Sequence, residues 1–327
     1  MQTKLYQPFK NFNFDNKHCF LTGQLVLNQA SITVFPEWII SKYNLLQRPF
    51  KMLDESMVSY GDIKLPVSTH TQNKITNLDE KLAQSLKNGY QSLIQLPQLD
   101  LFLWAGKIVY GIIFKELQTA IKQHNTTANE FNMSQGLIHK FTALHQMLQA
   151  ITSPITFEDF KPWSIFLCKV NNPENEFTYR DEINTLTFSL RMNDFGLIIN
   201  LQDNGVNKQY HQQNWDKIVN KTLHPIQFEE FCARVFYSAY LFNRLPEYHI
   251  MPTNSQVFIE AMPLQGMQIK PIFDEWQNKI YGQVLENFWK RWGFLHLEII
   301  KNPQHPLSFL FSEAGDFLTP ETILLPN

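Results

Sequence analysis

Cysteine is scarce in this chain: three in 327 residues, at Cys19, Cys168 and Cys232. They are odd in number and widely separated, which excludes a disulfide framework and fits a reducing compartment. A membrane-length apolar run is also missing. The most apolar stretch, LFLWAGKIVYGIIF at 101–114, carries Lys107 inside and Asp100 at its edge. A span needs about 20 apolar residues, so this stretch reads as a buried helix. Residues 1–30 lack a basic start followed by an apolar core, so no secretory signal is expected and the expected location is the cytoplasm. Charge of one sign is lacking too. The net charge is −2, far from the basic footprint of a protein held mainly by phosphate contacts. No Walker loop and no G-x-S-x-G elbow occurs. The DFG at 194–196 has neither a Gly-rich loop before it nor an H-R-D stretch, and reads as a hairpin turn.

What is present is a globular composition. Apolar residues make up 44% and charged residues 18%, with 27 phenylalanines, enough for a large aromatic core. The charge is uneven: residues 1–124 hold 13 Lys and Arg against 9 Asp and Glu, and residues 125–327 hold 15 against 21. Any nucleic-acid contact is therefore expected in the front of the chain.

Patterning gives an α+β fold class. HCFLTGQLVL, from His18, reads as a short hairpin with Gly23 at its turn, and FPEWIISKYNL as a helix opened by Pro36. NLDEKLAQSLKNGY reads as a helix capped by Asn77, with Glu80 as its capping-box partner. Leu101, Trp104, Ile108 and Ile112 mark one helix face, and Leu137, Leu144, Leu148 and Ile151 another. PWSIFLCKV then reads as a buried strand. In LTFSLRM, Leu186, Phe188, Leu190 and Met192 alternate with polar residues, which predicts one half-buried face pairing with LIINLQ. Further helices are predicted over 226–244 and 270–293, the latter stopped by Gly293. The aromatic-basic NFWKRWGF at 287–294 reads as a helix end with its Trp residues turned inward. Cys168 and Cys232 fall on apolar elements and read as inert core. His139 and His145, six residues apart on one helix, do not share a face as an i, i+4 ligand pair would.

One fragment carries a sharper signal. Cys19 begins a C-x-x-C spacing in which Thr22 occupies the second position. ITVFPEW follows at 32–38, and LPVSTHTQNKITNLDEKL at 65–82. These pieces, in this order, resemble the HNH nuclease family with its treble-clef, ββα-metal core, over about residues 17–85. The resemblance rests on Cys19, Gly23, Val34, Phe35, Pro36, Trp38, Pro66, Asn73 and the LDEK helix. It implies a degenerate HNH-like core over 1–90, followed at 91–327 by a larger α+β region with a helical layer and an antiparallel sheet. In the family two C-x-x-C pairs hold a structural zinc; here the matching positions are Cys19, Thr22, Ser68 and Thr71, one thiol of four. The family's general base is a histidine where this chain has Thr33, preceded by Ile32. A neutral hydroxyl cannot take a proton as imidazole does. Asn73 keeps the family's asparagine.

The resemblance thus implies a catalytically inactive relative with vestigial positions, Val34, Phe35, Trp38 and Val67 packing where the metal once held the fold. No cofactor and no membrane are expected, and the expected partner is a protein or a nucleic acid. The alternative is a metal-dependent nuclease with a site rebuilt from His18, Asp54, Glu55 and His70.

Overall fold

The computed structural model describes residues 4–127, 133–264, 270–323 and 325. In chain order the first elements are β1 (Ser31–Thr33), α1 (Glu37–Lys42), β2 (Pro49–Lys51), β3 (Met57–Ser59), β4 (Lys64–Pro66), α2 (Thr69–Lys87), α3 (Tyr90–Leu93), α4 (Gln98–Thr127), α5 (Gln135–Leu148) and β5 (Ile155–Glu158). The later strands are β6 (Ser164–Val170), β7 (Thr178–Glu182), β8 (Thr187–Met192), β9 (Phe195–Asn200), β10 (Thr222–Leu223), β11 (Tyr248–Pro252) and β12 (Val257–Ala261). The later helices are α6 (Val206–Tyr210), α7 (Gln212–Ile218), α8 (Pro225–Leu241), α9 (Asn278–Trp289) and α10 (His296–Ile299). The fold class is α+β. No helix among the described residues is long and apolar enough to cross a membrane.

The chain forms two compact units. The first comprises Met1–Asn88, Gln95–Lys161 and Leu245–Met262. In it β1 and β4 pair antiparallel, with Ile32 opposite Leu65, and α2 follows directly. Helix α4 lies against this pair. A Cβ at Gly111 would come within 2.9 Å of both Val34 and Leu65, so glycine there permits the close approach. Residues 101–114 are buried throughout, as a core helix requires. Lys107 is tolerated because its ammonium donates to the Val34 carbonyl at 3.2 Å and pairs with Asp79 at 3.3 Å. Strands β11, β12 and β5 form a three-stranded sheet, antiparallel between β11 and β12 and parallel between β12 and β5.

The second unit comprises Gly89–Ile94, Pro162–Arg244 and Pro263–Asn327. Its sheet runs in the order β10-β6-β9-β8-β7, antiparallel except where β10 joins β6. The hairpin β8–β9 forms as the alternation predicts, with Leu190 opposite Leu197. The DFG segment opens its second strand, and the Asp194 carboxylate accepts the Tyr90 N–H at 2.9 Å. Helix α8 packs on this sheet. It is capped by His224, whose Nδ1 accepts the Ile226 N–H at 3.2 Å while Gln227 reaches back to the His224 amide at 2.9 Å.

Three expectations need correction. Helix α2 begins at Thr69 with Ser68 as its cap, and Asn77 lies inside it. β8 is buried on both faces. Two of its polar side chains find partners on other segments: Thr187 accepts from Asn200 of β9 at 3.0 Å, and Arg191 bonds Glu176 at 2.8 Å. The last long helix starts at Asn278 rather than 270, because the backbone of 272–274 bonds instead to the end of α8. The Asn243 amide donates to Ile272 at 3.0 Å, and the Asp274 amide to Leu241 at 2.8 Å.

Trp289 is fully buried, with its indole N–H donated to the Ile226 carbonyl at 3.2 Å. Trp292 donates to Glu229 at 2.6 Å. Both belong to the packing of the second unit.

Candidate functional site

Cys19 sits on a tight turn in the first unit. Its carbonyl accepts the Gly23 N–H at 2.9 Å, and Gly23 adopts a positive φ of 68°, a conformation that suits glycine. The Phe20 N–H donates to the Pro66 carbonyl at 2.9 Å, tying the turn to the end of β4. Three residues later α2 begins, so the turn meets the first turn of a 19-residue helix.

This brings together residues 52 positions apart. Cys19 Sγ lies 3.4 Å from Thr71 Oγ1, and Thr71 Oγ1 lies 3.0 Å from Ser68 Oγ. Ser68 caps the helix by accepting the Thr71 N–H at 3.4 Å. Cys19 and Thr71 are completely buried. Burial pushes the Cys19 thiol up, but the Thr22 and Thr71 hydroxyls and the Ser68 and Leu21 backbone act against it and hold the thiol below its ordinary value. Thr22 exerts this pull although its buried hydroxyl makes no hydrogen bond of ordinary geometry. The α2 N-terminus adds a field of the same sign. All four sequence-singled positions, Cys19, Thr22, Ser68 and Thr71, thus meet in one place.

One thiol and three neutral hydroxyls do not suit zinc, which takes thiolate, imidazole or carboxylate donors. Val34, Phe35 and Val67 are wholly buried, and Trp38 is half-buried.

Beneath the turn lies His145, which sequence reasoning treated as ordinary. It is buried, and its Nε2 donates to the Phe20 carbonyl at 3.0 Å while its Nδ1 faces the Gln149 amide at 3.4 Å. Gln149 in turn clasps the Tyr6 backbone through both amide atoms, each at 2.9 Å. No sequence signal links His145 to Phe20, which is 125 positions away.

The other singled-out residues lie elsewhere. Thr33 donates its hydroxyl to the Phe35 carbonyl at 2.7 Å, and Asn73 is on the exposed face of α2. His18 Nδ1 pairs with Asp15 at 3.0 Å. Asp54 accepts from Ser56 at 2.6 Å and from Gln123 at 2.8 Å, and Glu55 accepts from Lys51 at 3.1 Å. His70 is exposed on the first turn of α2. Among the described residues, no three His, Cys, Asp or Glu side chains group as a metal site would need. His139 meets the Pro246 carbonyl at 3.2 Å. Cys168 is pushed up to about 12 by burial, and Cys232 well above its ordinary value for the same reason; both thiols are inert at neutral pH.

No protein-family model, no curated protein and no solved structure matches the chain.

Proposed function

We propose that this chain is a degenerate relative of the HNH nucleases that has lost its zinc and its catalytic residues and serves as a non-enzymatic binding protein for a protein or nucleic-acid partner. The observation that carries the reading is the convergence at Cys19. The residues at the four zinc-ligand positions of the resemblance are drawn from a turn and a helix start far apart in sequence, with Cys19 Sγ 3.4 Å from Thr71 Oγ1. Sulfurs around a zinc, bound at about 2.3 Å, stand about 3.8 Å apart, so the spacing is of zinc-site size. The order turn, antiparallel β1–β4 pair and α2 accords with a ββα arrangement. The chemistry of the site accords with loss of catalysis: the position of the general base is Thr33, whose hydroxyl is committed to the Phe35 carbonyl.

The test is to rebuild the ligands. The triple variant Thr22→Cys, Ser68→Cys, Thr71→Cys adds three thiols to Cys19. It should take up one zinc per chain, and with cobalt it should give the absorption of a tetrahedral tetrathiolate site. Zinc should also raise its unfolding midpoint, because binding free energy is folding free energy at such a site. A folded triple variant that takes up no zinc sinks the assignment.

A further inference from the structure

The second unit contains a cavity of about 420 Å³ between the middle of α8, the start of α9 and the loop at 304–313. That volume lies within the range of small-molecule sites. The cavity is independent of the Cys19 cluster, and the nuclease resemblance does not extend to it.

Its polar anchor is Arg234, on α8. The guanidinium is held on one edge: Nε and Nη2 donate to the same Glu230 oxygen, at 3.3 and 2.9 Å. Glu230 is fully buried and also accepts the Ser308 hydroxyl at 2.7 Å and the Phe309 and Leu310 amides at 2.8 and 2.9 Å. Glu230 is therefore saturated with donors, whereas Arg234 is not. Its Nη1 has no protein acceptor among the described residues, and the residue lines the cavity. The planar group is also fixed from its faces, with Cζ 5.1 Å from the Tyr281 ring centroid and 5.5 Å from that of Phe311. A guanidinium oriented this way presents a pre-set donor edge.

Two further features point to the same chemistry. Helix α9 opens beside the cavity at Asn278 with no side-chain cap, so its first amides and dipole favour negative charge. Trp276, Tyr281 and Phe311 line the walls, a surface that takes flat or apolar bodies.

We propose that this cavity binds a small organic oxyanion with a flat body, the anionic group on the Arg234 edge and the body against Trp276 and Phe311. A phosphate and a carboxylate share this chemistry, and the experiment separates them.

Full-length protein is titrated by calorimetry with adenosine 5′-monophosphate and with indole-3-acetate, and with adenosine and indole-3-ethanol as uncharged counterparts. At least one anion should bind with a sub-millimolar Kd, its neutral counterpart at least about ten-fold more weakly, as loss of a charge-assisted contact implies. The stronger anion identifies the source. Two exposed lining residues, Gln304 and Glu313, provide variants that leave the packing intact, since neither side chain has a hydrogen-bond or ion-pair partner among the described residues. Gln304→Glu should weaken the anion by about five- to ten-fold, and Glu313→Gln should tighten it by a few-fold, both effects shrinking with salt. Failure of both anions to bind in the millimolar range overturns the proposal. So does equal binding of the neutral counterpart, or indifference to both charge changes.

Discussion

The Nε2–H of His145 donates to the carbonyl of Phe20 at 3.0 Å, joining α5 to the residue that follows Cys19. Each ring nitrogen has its partner in the neutral tautomer: Nε2 as donor, and Nδ1 as acceptor of the Gln149 amide. A second proton on Nδ1 would set two donors against each other, inside a site with no exposure.

That arrangement fixes the acid response of the first unit. Burial lowers His145 from 6.5 to about 4 despite the bond to Phe20. The unfolded chain therefore binds a proton between about pH 6.5 and 4 that the folded chain refuses, and stability falls as pH falls through that window. The loss amounts to about 3 kcal/mol once pH 4 is passed. His145→Gln keeps a donor for Phe20 and cannot titrate. It should cost about 1 kcal/mol at pH 7 and match or exceed wild type at pH 4.5, as read from urea midpoints. Parallel pH profiles for the two proteins would refute this role.

Lys107 and Asp79 supply a second test. The ammonium is wholly buried and Asp79 partly so, with burial raising the Asp79 pKa against the pull of Lys107. Lys107→Met leaves a carboxylate without its cation and should cost about 3 kcal/mol. Adding Asp79→Asn should recover more than half of that. Thermal melts of the two single variants and the double variant measure the coupling, and additive losses would show that the pair does not act as a unit.

In the second unit, Arg191 lies fully buried between Glu176 at 2.8 Å and Glu229 at 3.6 Å, and Arg291 reaches Glu229 at 2.9 Å. Glu229→Gln would leave both guanidinium groups sharing Glu176, and should cost about 2–4 kcal/mol. Because the group is buried, the loss should change little between low and moderate salt. A loss that vanishes at moderate salt would mark the network as a surface feature.

Arg191 also explains why part of the fold was hard to read from the sequence. The alternation Leu186 to Met192 correctly signals a strand and its partner, because period-two patterning is local. It wrongly signals solvent on the polar face, since the covering charges, Glu176 and Glu229, lie on other elements. The start of α2 was obscured similarly: STHTQNKIT is rich in weak helix formers, and only the Ser68 cap reveals the boundary. At the candidate site, spacing to known motifs singled out Cys19, Thr22, Ser68 and Thr71, which do meet. His145 and Gln149 were missed because their targets are backbone groups of Phe20 and Tyr6, and a backbone acceptor leaves no mark in a sequence. The cavity at Arg234 was missed for a related reason. Its walls come from three separate segments, and the free edge of the guanidinium exists only once Glu230 holds the other.

The final prediction concerns catalysis. Phosphodiester cleavage near neutral pH requires a base to activate water and a cation to balance charge developing on the phosphate. The base position of the resemblance is Thr33, its hydroxyl bonded to Phe35 at 2.7 Å, and Ile32 precedes it. Absence of a general base alone costs about 10²–10⁴-fold. His18, Asp54 and Glu55 hold Asp15, Ser56 and Lys51 respectively and do not gather with His70. The protein should therefore leave single- and double-stranded DNA and RNA uncut with magnesium, manganese, zinc or nickel. Thr33→His alone should not restore cutting, because a base without a metal site supplies only one of the two requirements. If DNA is retained in a gel-shift assay, binding should weaken with salt and depend on the lysines before residue 124, where the basic excess lies. Metal-dependent nicking by the wild-type protein that disappears in His70→Ala would overturn the reading and assign a rebuilt nuclease site.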